Sequence, residues 1–440
     1  MLNVALPAIA GSFHAHTAEV QWVMNAFTLP LSALLLIGGA AGDLYGRRRV
    51  MLWGIALFTI ASFLCAVAPD LGFLLAGRAL QGLGAAMLLP NSLATLSAAF
   101  SGEARGRAVG IWAAAGAGAG AIAPLIGGWL VDQAGWPFIF LINLPVGTGA
   151  IVLGWMFVPE SQNDTRAPPD WIGAALATIG LGALTWGLTT WSATDRFNAE
   201  AVATIVGGAI LLLFFLLVEY RKRGHAMIPL EMFGSKAFVG LTILTFLLYG
   251  ALGGLMLLLP YTLIEAGGYT ATQAGLAVIP FPVLVAAGSP LMGKLAARIG
   301  PRWPLTVGPA IVAGGYALGV RIEADSSYWT TVLPPIVTVS LGMALAVAPL
   351  TTAVLSAVDE QHVGTASGLN SAVSRAGGLI VVALLGAVIS LQSGALMNGL
   401  HDATLVGAAL ALASALIAFA TLGGRPARLT PHGGAPMLQQ

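Results

Sequence analysis

The stretch Gly39–Arg49 combines residue types that can hold two helices together and then release them. It contains one acid, Asp43, followed by a glycine and three consecutive arginines. A carboxylate at a helix end can pair with an arginine or accept hydrogen bonds from the N-terminus of a neighbouring helix. We therefore predict a conformational latch formed by Gly39, Asp43, Gly46, Arg47 and Arg48. The alternative is that the arginines only fix the topology of the chain.

Four polar side chains stand within otherwise apolar runs, where a charge costs about 2.5–3.5 kcal/mol on insertion scales. Arg78 and Gln81 are one helical turn apart, and Asn370 and Arg375 share one broad helical face. Polar groups buried in lipid face a partner or a water-filled cavity. We predict that these four residues line a pathway for protons or substrate. The alternatives are snorkelling or structural pairing for Arg78, and interhelical hydrogen bonding for Asn370 and Arg375.

A third segment is rich in glycine and contains one proline. Its residues include Gly120, Pro124, Gly127 and Gly128. Proline removes a backbone donor and bends a membrane helix, whereas glycines allow close contact between helices. The pattern therefore predicts either a helix that bends during a conformational cycle or one that packs tightly, and it does not decide between the two.

These side chains must be positioned by membrane helices. Hydrophobic residues make up 57% of the chain and charged residues only 8%, whereas soluble domains carry about 25% charged residues. Apolar runs of about 20 residues, long enough to cross a bilayer, recur along the chain. We predict helices at 23–42, 50–68, 72–97, 106–131, 138–158, 171–191, 201–219, 237–264, 273–297, 304–321, 329–350, 364–391 and 404–422. Residues 1–13 are too short to span, and we expect them to be the second half of a helix whose start is missing; the alternative is a segment that lies in the membrane interface.

The basic residues lie on one side of this predicted arrangement. Fifteen of them fall in the alternate loops that include Gly39–Arg49, or in the C-terminal tail. The opposite loops contain only Arg196 and Arg321. By the positive-inside rule, the first set of loops is cytoplasmic. We therefore predict a multi-pass protein of the bacterial inner membrane with a cytoplasmic C-terminus.

A fainter copy of the first loop occurs at Gly293–Arg302. The ungapped alignment of the two loops pairs Gly39 with Gly293, Gly46 with Gly300, and Arg48 with Arg302. A parallel repeat predicts two similar helical bundles around a shared path. We therefore predict an all-α integral membrane protein built from two six-helix bundles. The first bundle covers residues 1–158, and its first helix is incomplete. A linker with two inserted helices follows at 159–236, then the second bundle at 237–424 and a disordered cytoplasmic tail at 425–440.

Three segments resemble signatures of the major facilitator superfamily. The pattern Gly39-x-x-x-Asp43-x-x-Gly46-Arg47-Arg48 looks like its loop signature. Residues 78–86 resemble the fourth-helix signature of its drug/proton antiporters, and residues 116–128 resemble the fifth-helix antiporter signature.

Further features are similar to the fourteen-helix, EmrB/QacA-type branch of these antiporters. They are the helix number, the segment Asn3–Pro7 and the pair Gln21-Trp22. The chain departs from the family pattern at Leu44, which is usually basic, and at Ala123, which is usually glycine. The acidic residue that the family carries early in helix one would precede Asn3.

The resemblance implies a major-facilitator-type fold and a proton-coupled exporter of small, mostly apolar compounds that works by alternating access. It implies a proton gradient in place of a cofactor, a surrounding lipid bilayer, a monomer, and no nucleic-acid partner. Two alternatives stay open. One is a nutrient facilitator or symporter of the same fold, and the other is a non-transporting membrane sensor or truncated remnant.

Enzyme chemistry is not indicated by the sequence. Apart from His14 and His16, the six histidines are scattered without metal-ligand spacing, and the single cysteine, Cys65, lies in an apolar run. The glycine runs lack the Lys-Ser or Lys-Thr ending of a phosphate-binding loop. We therefore expect no metal site and no step driven by a nucleotide.

Overall fold

The computed structural model describes residues 1–15, 17–100, 102–161, 170–194, 198–222, 230–323, 327–358, 363–390 and 396–423. Within these residues the regular elements are helices, and the main ones are α1 (Leu2–Phe13), α2 (Thr17–Tyr45), α3 (Arg47–Ala66), α4 (Leu71–Ala99), α5 (Gly102–Ala134), α6 (Phe138–Leu141), α7 (Asn143–Phe157), α8 (Trp171–Thr194), α9 (Ala199–Lys222), α10 (Lys236–Glu265), α11 (Ala271–Val278), α12 (Pro280–Ile299), α13 (Arg302–Gly319), α14 (Leu333–Ser356), α15 (Val363–Ser390) and α16 (Leu396–Thr421). A 3₁₀ turn precedes α10, and a π-helical turn leads into α14.

Each predicted apolar segment corresponds to a helix or to two consecutive helices. In the described residues, ten segments are long and apolar enough to cross a membrane, and α2, which is bent by 53°, makes an eleventh if it is counted as one span. The two remaining predicted spans are α5, with 33 residues, and α13, with 18 residues. Helix α1 has 12 residues, about 18 Å of helix at 1.5 Å per residue, which is shorter than the hydrocarbon core of a bilayer.

Two sets of helices pack around glycine contacts. Helices α2, α3 and α4 contact one another, and α10 packs with α15 and α16 beside the α12–α14 group. A Cβ atom added to Gly54 of α3 would lie 2.7 Å from the carbonyl oxygen of Gly84, and one added to Gly308 of α13 would lie 2.8 Å from that of Gly342. Small residues therefore set both helix crossings, as expected where helices associate in lipid.

The two loops of the sequence repeat have the same backbone turn. Gly46 has a φ of +102° and Gly300 a φ of +87°, values that glycine adopts without the strain a side chain would add. Helix α3 begins just after the first of these glycines, and α13 just after the second. The ungapped alignment that pairs these glycines also pairs Gly54 with Gly308. The backbone thus repeats both the turn and the helix crossing that follows it.

Helices α8 and α9, which the sequence predicted to be an insert, pack on each other, and α8 also contacts α2 and α15. Their ends are joined by Asp170, whose Oδ1 lies 2.5 Å from Nζ of Lys222 and accepts from the backbone N–H of Gly173. Burial raises the pKa of the Asp170 carboxyl, but the hydrogen bonds from Lys222 and Gly173 outweigh it, and the pKa lies below its usual value. The boundaries at 158, 236 and 424 remain a prediction, and residues 425–440 lie outside the described residues.

Candidate functional site

A cavity of about 240 Å³ lies between the two sets of helices. It is bounded by α1 and α2 on one side and by α10 and α15 on the other. Its lining is Asn3, Met24, Asn25, Thr28, Tyr249, Leu252, Gly253, Met256, Leu257, Ser374, Arg375, Gly378, Leu379 and Val382. The lining comes from segments hundreds of residues apart, so that sequence spacing could not assemble it.

The cavity is closed by apolar packing towards the end of the molecule opposite the Gly39–Arg49 loop, which we call the far end. Leu257 and Val382 line the cavity and also pack in a buried cluster with Leu6 and Ile9 of α1. Asn3 ties the two sides together, because its Nδ2 donates to the carbonyl of Met256 over 2.6 Å.

Of the four residues predicted for a proton or substrate pathway, Arg375 lines the cavity. Asn370 does not line it. Its Oδ1 accepts a hydrogen bond of 2.8 Å from Oγ1 of Thr245, on α10. This contact is the interhelical hydrogen bond that the sequence left open as the alternative for Asn370.

Arg78 and Gln81 lie instead within the α2–α3–α4 packing. Nε of Arg78 donates to the carbonyl of Val23 over 2.9 Å, and Nη1 donates to Oε1 of Gln81 over 2.7 Å. Nε2 of Gln81 donates onward to Oγ of Ser62 over 2.6 Å. The guanidinium carbon also lies 4.4 Å from the ring centroid of Phe27, a favourable cation–π distance. Arg78 is therefore the centre of a network that joins three helices.

Asp43 pairs within its own loop in this structure. Nε and Nη2 of Arg47 each lie 2.8 Å from Oδ1 of Asp43. The Asp43 side chain is 44% exposed, and exposed pairs four residues apart contribute only about 0.3–0.5 kcal/mol. Gly39 packs on Pro90 of α4. The latch role of this loop stays a prediction.

Glu160, which sequence reasoning missed, holds the start of α3. Its carboxylate accepts from the backbone N–H groups of Arg48, at 3.0 Å, and Arg49, at 3.3 Å. Nη1 of Arg48 in turn donates to the carbonyl of Val158. A Cβ atom on Gly46 would lie 2.8 Å from the Glu160 carboxyl carbon. Glu160 thus fixes the loop to the segment after α7, and only the fold brings these residues together across more than 100 positions.

We expect Glu160→Ala to lower the stability of the purified protein by roughly 1–2 kcal/mol, because it leaves backbone donors at the α3 N-terminus without an acceptor. Asp43→Asn should cost only about 0.3–0.5 kcal/mol, the value of an exposed pair. Thermal unfolding in detergent would rank the two variants. Glu231→Ala, at an exposed glutamate, serves as the control. Equal destabilisation by Glu160→Ala and Asp43→Asn would contradict this assignment.

At the far end, α5 and α11 meet through two glycines. A Cβ atom on Gly128 would overlap the carbonyl oxygen of Ala271 and lie 2.6 Å from its carbonyl carbon. A Cβ atom on Gly275 would overlap the carbonyl oxygen of Pro124. The carboxylate of Asp132 accepts from the backbone N–H groups of Ala271 and Thr272, at 3.1 and 2.8 Å, and from the Thr272 hydroxyl. These contacts join α5, which packs against α1, to α11, which packs against α10.

The predicted antiporter helix therefore has two different parts. Gly127 and Gly128 are closely packed, with the Cβ position of Gly127 only 2.6 Å from Cα of Met1. Gly116, Gly118 and Gly120 lie near the middle of α5, and among the described residues no atom beyond the neighbouring α5 backbone lies within 4 Å of their Cβ positions. Packing in this conformation explains the first pair of glycines and leaves the other three unexplained.

Comparison with known families decides the relationship. The model of the Major Facilitator Superfamily matches residues 1–380, with a second match to residues 241–437. The chain belongs to the Major Facilitator Superfamily. It is a membrane transporter and not an enzyme, which confirms the resemblance drawn from its motifs and the fold that it implied.

Three curated relatives of this superfamily member are named as resistance or export proteins. Multidrug resistance protein Stp of Mycobacterium tuberculosis (strain CDC 1551 / Oshkosh) is 34% identical over 391 residues, which cover 89% of this chain and 72% of that protein. The Methylenomycin A resistance protein of Bacillus subtilis (strain 168) is 31% identical over 95% of this chain and 89% of its own length. Cephamycin export protein CmcT of Amycolatopsis lactamdurans is 34% identical over 88% of this chain and 80% of its own length. These relatives support the drug-efflux function that the sequence predicted.

Solved structures of the superfamily share the fold. The POT family transporter PepTSo superposes with a TM-score of 0.70 at 15% identity, over 96% of this chain and 94% of that one. The xylose transporter XylE from E. coli, in an inward-open conformation, superposes with a TM-score of 0.62 at 15% identity. The superposition covers 97% of this chain and 94% of XylE. At these identities the similarity shows the fold alone.

Proposed function

We propose that this transporter is a proton-coupled exporter of small, mostly apolar compounds, working by alternating access as a monomer in the bacterial inner membrane. The observation that carries the proposal is the cavity between α1 and α2 on one side and α10 and α15 on the other. A site at the interface of two packed units, near the middle of the bilayer, is the arrangement that alternating access requires.

The direction of closure supports this proposal. The far end is sealed by the apolar cluster, by the α5–α11 glycine contacts and by Asp132. The arginine-rich loops lie at the other end, and on the positive-inside rule we propose that these loops and the C-terminus are cytoplasmic. With this orientation, we infer that the conformation is closed to the outside and that a compound enters the cavity from the cytoplasm or the inner leaflet. We propose that a proton gradient supplies the energy and that no cofactor takes part.

Two measurements test the proposal. Expression in a strain without its own major exporters should raise resistance to several apolar antibiotics, and a protonophore should abolish the difference. In proteoliposomes with a trapped pH indicator, a transported compound should drive proton movement in the opposite direction. Movement of both in the same direction would indicate a symporter instead.

A pair of variants ties this activity to the cavity. Leu252→Trp, on the cavity wall, should reduce transport at least tenfold by filling the site. Leu412→Trp, the same substitution at an exposed position on α16, should leave transport at the wild-type level. Unchanged transport by Leu252→Trp would place the substrate elsewhere.

A further inference from the structure

We propose that the cavity selects compounds that combine an apolar body with one carboxylate-like anion, and that it discriminates against lipophilic cations. The anion pairs with the guanidinium of Arg375. This inference rests on the proposed function, since it assigns a substrate class to the same cavity.

The charge of the lining is the first observation. Arg375 is the one charged side chain among the residues that line the cavity, and no aspartate or glutamate accompanies it there. In the described part of the chain, Arg375 takes part in none of the salt bridges, which join Arg47 to Asp43, Arg49 to Glu160 and Lys222 to Asp170. The cavity therefore presents an unneutralised positive charge to whatever enters it.

The second observation is an unused donor on the opposite wall. Asn25 of α2 is 2% exposed, and its Nδ2 has no hydrogen-bond partner among the described residues. A buried donor without an acceptor is costly, by about 1–3 kcal/mol, and a ligand oxygen would satisfy it. Arg375 belongs to α15, so that each side of the interface supplies one donor. Both groups can donate to an anionic ligand, and the discrimination against cations comes from the charge of Arg375, because the Asn25 amide also carries an acceptor oxygen.

The remaining walls fix the rest of the ligand. They are largely aliphatic or thioether side chains: Met24, Leu252, Met256, Leu257, Leu379 and Val382. In such surroundings a guanidinium–carboxylate pair is stronger than in water, because little solvent screens it. An ammonium ligand would meet the charge of Arg375 with no carboxylate to offset the repulsion. The arrangement therefore fits a compact amphiphile whose acid group lies between the side chains of Arg375 and Asn25.

Three probes that share the same naphthylmethyl group but differ in charge test the inference on the purified full-length protein in nanodiscs. They are 2-naphthylacetate, 2-naphthylacetamide and 2-naphthylmethyl-trimethylammonium, with binding measured by equilibrium dialysis against empty nanodiscs. We expect the anion to bind at least tenfold more tightly than the neutral amide, and the cation at least tenfold more weakly than the amide.

Substitutions of Arg375 and Asn25 test whether these two donors cause the preference for the anion. Arg375→Met should bring the affinity of the anion down to that of the amide, while Arg375→Lys, which keeps the charge, should retain part of the preference. Asn25→Leu should weaken the anion roughly three- to tenfold and leave the cation unchanged. Arg321→Met, at an exposed arginine, is the matched control and should bind all three probes as the wild type does.

The outcomes separate this inference from the proposed function. Equal affinity for the three probes, or an anion preference that survives Arg375→Met, would overturn the selectivity while leaving the cavity as the site. If Arg375→Met fails to fold, the binding of the three probes to Asn25→Leu and Arg375→Lys decides whether the anion preference depends on these donors. Binding that Leu252→Trp does not reduce would instead count against the cavity itself, and so against the proposed function.

Discussion

A Gly128→Ala variant should lose at least tenfold in transport rate while remaining in the membrane in the wild-type amount. The added methyl group would overlap the backbone of α11, with Cα of Thr272 only 2.7 Å away. Backbone cannot move aside as a flexible side chain can, and overpacking of this kind costs about 1–3 kcal/mol. The cost falls on the state closed at the far end, so the variant should accumulate open to the outside. Substrate uptake into everted vesicles, whose cytoplasmic face points outward, measures the rate of export, and spin labels on α5 and α11 measure the opening.

Gly120→Ala is the matched control for this experiment. Among the described residues, no atom beyond the neighbouring α5 backbone lies within 4 Å of its Cβ position, and alanine favours a helix over glycine by about 0.5–1 kcal/mol. It should therefore leave the far-end distance unchanged. Asp132→Asn should open the far end partially, because it removes the charge from the hydrogen bonds to α11. Wild-type transport and wild-type spin-label distances in Gly128→Ala would show that the glycine contact does not limit closure.

Arg78→Lys should also reduce transport at least tenfold, with retained membrane abundance. The guanidinium reaches the Val23 carbonyl and Gln81 at once and lies over the Phe27 ring. An ammonium group lacks this planar set of donors. Hydrogen bonds that involve a charged group contribute about 1.5–3 kcal/mol each, and a change of 1.4 kcal/mol is tenfold. Substrate-driven proton flux in proteoliposomes measures the effect.

A second variant distinguishes the geometry of this network from its charge. Gln81→Met keeps the charge of Arg78 and removes its side-chain acceptor, so it should reproduce a large part of the Arg78→Lys defect. Arg321→Lys, at an exposed arginine, should transport like the wild type. Normal flux through Arg78→Lys would mean that a positive charge alone is sufficient at this position.

Much of the fold was predictable because lipid imposes simple rules on sequence. Helix number and order followed from the length of apolar runs, since a segment in hydrocarbon must satisfy its own backbone hydrogen bonds. The turn at Gly46 was predictable from residue type, and its copy at Gly300 from the repeat. The spacing of one helical turn placed Arg78 and Gln81 on one face, but the sequence predicted a shared pathway for them and not their hydrogen bond to each other.

The candidate site was predictable only in part. The sequence singled out Arg375 because a charged side chain in an apolar helix faces a partner or a cavity, and in the structure this residue does line the cavity. Asn370 was selected by the same rule but faces Thr245, because helical spacing defines a face without saying which neighbour that face meets. Asn25, the unused donor, gave no signal in the sequence, since an asparagine near the start of a span also suits a helix end.

Composition and span length indicated a helical membrane protein, and three local motifs indicated its resemblance to the Major Facilitator Superfamily, because all of these are properties of neighbouring residues. Which segments meet could be read only from the packed helices. The tertiary structure joined Glu160 to the start of α3 and Asp132 to the start of α11, and it placed Asn25 and Arg375 on opposite walls of one cavity. Such contacts join residues tens to hundreds of positions apart, and their partners are fixed by the packing of whole helices rather than by any local pattern.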